Sequence, residues 1–135
     1  MSSSYLQMAS LLVVAGLFGG MFLFSASFAA FLFKYLPPAD ARMLIRKAFP
    51  TFYLFVIFSA GLAGLLSWQS DAMTTAWMAS VMFTAIAARQ WLMPAINLAS
   101  DMGHTKRFAW LHGFSVLLTL GHIVVAAAIL VHMAR

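Results

Sequence analysis

The sequence predicts an all-α integral membrane protein, an antiparallel bundle of four helices. Three observations predict it. Of 135 residues, 64% are hydrophobic and 8% charged, against about 25% charged for a soluble domain, and a soluble domain of this length could not hide so much apolar surface from water. The apolar residues fall in four runs of the length that crosses about 30 Å of hydrocarbon, roughly 20 helical residues each. The runs are continuous rather than alternating ten-residue segments, so helices, not a β-barrel, satisfy the backbone in lipid. Residues 1–135 read as one domain.

The first helix is expected over about 5–33. Its start, Met1 to Ser4, lacks Lys and Arg, and its apolar run is too long for a signal core, so it is expected to be retained. Pro37 and Pro38 end it, because proline cannot continue the ladder and biases its predecessor away from helix. Asp40 is then placed as the N-cap of a short interfacial helix over about 41–49. There Arg42, Arg46 and Lys47 would meet lipid phosphates. The second helix is expected over about 52–68, with Pro50 at its first turn. The third is expected over about 72–93, capped by Asp71 and kinked or terminated by Pro94. The fourth is expected over about 108–132. Trp68, Trp77, Trp91 and Trp110 fall near predicted helix ends, as interfacial anchors do.

The formal net charge of +5 is a topology signal rather than a nucleic-acid footprint. Lys34, Arg42, Arg46 and Lys47 belong to the first connection, and Lys106 and Arg107 to the third, whereas the second, around Gln69 to Asp71, has no cation. Up-down topology places the first and third connections together. The positive-inside rule then makes loops 34–50 and 95–107 cytoplasmic, with both termini outside. The expected location is an inner membrane, of bacterial type.

Small residues mark close helix approach. Gly16 and Gly20 form a GxxxG pair, and Ala60 with Gly64 a second small-residue pair; such pairs serve packing within the chain or a homo-oligomer. The expected partners are the bilayer and either a second copy or a larger membrane complex, with no nucleic acid.

Polar residues inside apolar runs carry the candidate chemistry. His112, Ser115, Thr119 and His122 share an arc of roughly 80° on a 3.6-residue helix. Lipid penalises such an arc, so it is expected to face the bundle interior, with Arg89 at the level of His112. Arg89 would otherwise snorkel to the head groups. Candidate hydroxyl partners for His122 are Ser59, Ser80 and Thr84. The two histidines are about 15 Å apart along the helix, so they cannot share one metal ion. Met78, Met82 and Met93 lie on one stripe with Arg89, and thioethers suit Cu(I), though they more often fill cores. No cofactor is expected; His112, His122, Met78 and Met82 are the candidates should copper or haem bind. With no cysteine and three acids, Asp40, Asp71 and Asp101, there is no thiolate site, catalytic triad or carboxylate pair. The leading reading is therefore non-enzymatic: a small multi-pass protein that assists a membrane complex or handles a small solute. The alternative is metal or haem handling, with oxidoreductase chemistry, through the intramembrane histidines.

The strings Lys-Tyr-Leu-Pro-Pro at 34–38, Phe-Pro-Thr-Phe-Tyr at 49–53, Trp-Leu-Met-Pro at 91–94 and Phe-Ala-Trp-Leu-His-Gly-Phe-Ser at 108–115 resemble the transmembrane protein 205-like family. The likeness to its bacterial branch runs over nearly the whole chain. It implies a four-helix membrane fold, distantly similar to the copper resistance protein D group and the four-helix protoporphyrinogen oxidases, whose members use intramembrane histidines. Family members often carry a histidine early in the first helix, where this chain has Ala9.

Overall fold

The computed structural model describes residues 2–135. Helix α1 (Ser2–Phe22) passes through a π-helical stretch, Leu23–Phe28, into α2 (Ala29–Tyr35), making one rod. The second rod is α3 (Pro38–Ser67). The third is α4 (Ala72–Ala87), a π-helical stretch at Ala88–Leu92, and α5 (Met93–Asp101). The fourth is α6 (Thr105–Met133). Each rod packs on its neighbours in sequence, and the fourth closes back onto the first.

The core lies between the rods and is built from small and medium apolar side chains. Val14, Leu17 and Met21 of α1 meet Val56, Ala60 and Ala63 of α3, with Met78, Val81 and Ala85 of α4 and Ala126 and Ile129 of α6. Ala60 and Gly64 let α4 approach: a Cβ on Gly64 would sit 3.6 Å from both Met78 Cβ and the Thr75 carbonyl. The outer wall is apolar. Leu12, Phe58, Leu65, Phe83 and Leu117 are all more than 60% exposed, an arrangement that suits lipid and would be costly in water. The tryptophans also point outward, Trp68, Trp91 and Trp110 most strongly.

Several expectations need correction. A separate interfacial helix over 41–49 does not form; α3 runs unbroken from Pro38, with Pro50 inside it. Pro50 has no donor for the Arg46 carbonyl, but Arg46 is exposed, its side chain by 46%, which leaves that carbonyl open to another donor. Asp40 is not an N-cap. Pro37 flanks the helix, Pro38 opens it, and Asp40 stands in the first turn, where a carboxylate favours the helix dipole. Pro94 neither ends nor breaks the third rod. The π-helical turn just before it makes room for a ring that would clash with the carbonyl four residues back in an α-helix. That rod ends instead at Gly103, whose φ of +67° permits the left-handed turn. His104 N bonds the Ala99 carbonyl at 2.9 Å and Gly103 N bonds that of Ser100 at 3.2 Å, the Schellman closure.

Three helices rather than four are long and apolar enough to cross a membrane: Ser4–Tyr35, Pro38–Ser67 and Thr105–Met133. The third rod falls short because Thr74, Thr75, Ser80, Thr84, Arg89 and Gln90 dilute its apolar run.

Candidate polar interior

Hydrogen bonds tie the rods together at three levels of the interior. Nearest the chain termini, Ser10 Oγ donates to the Ala63 carbonyl at 3.1 Å and lies 2.7 Å from Ser67 Oγ. Both serines are buried. Midway, His122 Nε2 lies 2.7 Å from Thr84 Oγ1. The Thr84 hydroxyl has one proton and a carbonyl to give it to, that of Ser80 at 2.7 Å. If that proton goes to Ser80, the Thr84 oxygen accepts from Nε2–H of His122; if it goes to the ring, Nε2 is the acceptor. Towards the basic end, Tyr53 Oη lies 3.4 Å from Ser115 Oγ, and Thr119 borders the same phenol.

The α6 stripe is inward only in part. Ser115 and His122 are buried and Thr119 is half-buried, but His112 is exposed, which corrects the expectation that all four line the interior. The buried face of α6 runs through Ser115, His122, Ala126 and Ile129. His112 lies about 60° from Ser115 around the helix, and its ring stacks on Phe108, centroids 5.5 Å apart. The two histidines thus occupy different environments.

Arg89 sits in the π-helical turn, four residues after Ala85 and eight after Val81, both buried. It follows their inward stripe and is half-buried. Its Nε is buried without a hydrogen-bond partner among the described residues. Along the axis Arg89 is about 7.5 Å from Thr84, which places it between Thr119 and Ser115, about 4.5 and 10.5 Å from His122. By the same rise, Arg89 lies closer to the level of Ser115 and Thr119 than to that of His112.

Met78 is buried and Met82 half-buried, and both pack on α3; a Cβ on Gly61 would lie 3.0 Å from Met82 Sδ. They fill the α3–α4 seam. Among the described residues no three His, Cys, Asp or Glu side chains gather as for a metal ion. Gly20 lies under the Phe55 ring, which a Cβ would meet at 2.6 Å, while Gly16 opens onto empty space. Gly16 forms part of a groove of about 430 Å³ between α1 and α3, lined by Val13, Leu17, Phe55, Phe58, Ser59 and Leu62.

Two end contacts were not read from the sequence. At the end bearing the termini, Asp71 caps α4 by accepting from Thr74 N at 3.0 Å and Thr74 Oγ1 at 2.6 Å, and its Oδ2 lies 3.1 Å from His132 Nε2. The cap was expected; the histidine was not. Burial alone would push the Asp71 carboxyl up, but the Thr74 bonds and His132 outweigh it and hold the group below its ordinary value. This pair borders an open pocket of about 590 Å³ with Ser4, Gln7, Ser67 and Ser70. At the basic end Arg46 and Asp101 form a two-point fork at 2.7 and 2.8 Å, which holds the exposed Asp101 carboxyl below its ordinary value. Arg46 was expected to meet lipid phosphate. The signal for both contacts was available, since each joins an acid to a basic side chain on the same side of an up-down arrangement.

These features define an all-helical protein with three helices fit to cross a membrane and a hydrogen-bonded polar interior. The chain belongs to the family described as Domain of unknown function (DUF4149), whose model matches residues 12–105. That span takes in Gly16, Tyr53, Gly64 and Arg89 and stops before the polar stripe of α6. No curated protein and no solved structure matches the chain.

Proposed function

We propose that the protein is an antiparallel four-helix bundle of a bacterial inner membrane, with loops 34–50 and 95–107 cytoplasmic and both termini outside. It acts without catalysis of its own, by assisting a larger membrane complex. The groove beside Gly16 carries this reading. It lies on the outer wall between the first two rods, is almost wholly apolar, and has a glycine wall with nothing within 4 Å of the Cβ position. Close backbone approach is what drives helix association in lipid, and Gly16 offers it on the face that no rod of this chain covers. The resemblance to the transmembrane protein 205-like family is part of the same reading.

Haem or copper handling is less well supported. His122 Nε2 is engaged by the Thr84 hydroxyl and would have to surrender that bond to serve through Nε2, and His112 is exposed elsewhere on the helix. The test is affinity purification from native membranes in mild detergent, comparing wild type with Gly16→Leu. The expected result is a co-purifying membrane protein that the variant loses. A wild-type chain recovered alone and monomeric, or a partner indifferent to Gly16→Leu, overturns the reading.

A further inference from the structure

Arg89 is a half-buried cation whose Nε is buried without a hydrogen-bond partner among the described residues. Each of the three acids is accounted for elsewhere. Asp101 is forked to Arg46, Asp71 is held by Thr74 and His132, and Asp40 stands in the first turn of α3. By helical rise, Asp101 and Asp71 are about 18 and 27 Å along the third rod from Arg89, and Asp40 is about 20 Å along α3 from Tyr53. The turn that carries Arg89 packs on both α3 and α6, and by helical rise the polar groups those helices bring nearest its level are hydroxyls, Tyr53, Ser115 and Thr119. The Tyr53–Ser115 contact is long, at 3.4 Å, so both hydroxyls retain capacity to donate to a better acceptor. This level of the interior is therefore rich in donors, carries one fixed positive charge and has no carboxylate within reach. Arg89 stands on a π-helical turn, a feature that recurs at functional sites, in the half of the molecule that carries six of the seven other Lys and Arg residues.

We propose that Arg89, with Tyr53 and Ser115, forms an oxyanion site that takes a phosphate group entering from the basic end of the bundle. A phosphate presents several acceptor oxygens to a planar guanidinium fork and can receive the hydroxyls as well. The same chemistry is offered by a phospholipid head group and by free phosphate, and the outer end of Arg89 is open to either.

The test uses the full chain purified in detergent and two probes. In the first arm, inorganic phosphate is titrated against a chloride control of equal ionic strength while thermal unfolding is followed. In the second arm, phospholipid retained after exhaustive detergent exchange is measured as phosphorus per chain. Both arms compare wild type, Arg89→Gln, Arg89→Lys, Tyr53→Phe and, as a surface-charge control, Lys106→Gln. A phosphate-dependent rise in Tm whose apparent Kd weakens about tenfold or more in Arg89→Gln identifies a free-phosphate site. About one phospholipid per chain, kept by wild type and Lys106→Gln and lost by Arg89→Gln, identifies the head group instead. Should Arg89→Gln not fold, Arg89→Lys and Tyr53→Phe decide, since each keeps the bulk of its side chain and is expected to weaken retention partway. If neither arm responds to these substitutions, or if Lys106→Gln has the same effect, the site is refuted.

Discussion

At the scale of single residues, the polar side chains act as crossbars between rods. Asp71 is the clearest, capping α4 while meeting His132 of α6. Asp71→Ala is expected to cost about 1 kcal/mol through the lost cap, measured by unfolding in mixed detergent. Because the folded carboxyl lies below its ordinary value, its stabilising contribution is complete above the unfolded value of about 4. That contribution fades as pH falls through the lower folded value. A wild-type pH profile no steeper in this window than that of Asp71→Asn would contradict the assignment. His122→Leu is expected to insert normally and lose roughly 1 kcal/mol, the scale of an interhelical hydrogen bond in lipid. Leu117→His, at a position 69% exposed, is expected to lower the inserted fraction in a translocation assay; equal insertion of the two variants would count against the assigned faces. Periodicity made Ser115 and His122 legible as inward residues, because a buried face is narrow and these two sit at its centre. It misplaced His112, which lies at the edge of the arc, where the packing of neighbouring rods decides. The His132–Asp71 contact joins positions 61 apart in sequence, and its reading required pairing two rod ends that hydropathy treats separately.

At the scale of elements, hydropathy revealed where rods lie but not where they continue. Proline is read from sequence as a boundary, yet α3 runs through Pro50 and the third rod through Pro94. In one case the lost bond falls at an exposed end, and in the other a wider turn takes up the ring. Neither compensation leaves a mark in composition. Glycine was a better guide, because close approach has a definite steric signature. Gly64→Ala is expected to be tolerated, its Cβ meeting neighbours at ordinary contact distance, whereas Gly64→Leu is expected to wedge α3 from α4 and cost several kcal/mol, in the range of overpacked cores. Reversible unfolding of the two variants measures the difference. Equal stability would mean that the α3–α4 seam is looser than its geometry states.

At the scale of the whole molecule, charge and apolar surface are divided along different directions. The apolar wall faces sideways, while the cations of residues 34–47 and 106–107 gather at one end and the Asp71–His132 pair closes the other. This division underlies the proposed orientation. The chain has no cysteine, so single substitutions report cleanly with a membrane-impermeant thiol reagent. Ser70→Cys is expected to label from outside intact cells, and Ser100→Cys only after the membrane is opened. The reverse pattern would invert the topology. The third rod is the informative one here, since its own apolarity does not suffice for a span. Its place across the bilayer would depend on the other three rods screening its threonines and Arg89, so it is expected to insert poorly when expressed without them.

The π-helical stretches Leu23–Phe28 and Ala88–Leu92 also bear on how this chain can change length. A turn closed by i→i+5 bonds holds one residue more than an α turn. Removing a single residue there lets the turn relax to ordinary α geometry while the segments on either side keep their facing. Removing one from a regular turn rotates everything beyond it by about 100°, carrying core side chains to the outer wall. Deletion of Ser25 is therefore expected to leave a folded protein, and deletion of Ala15 is expected to destroy it. The two stretches are the sites at which a tightly registered bundle tolerates drift in its length.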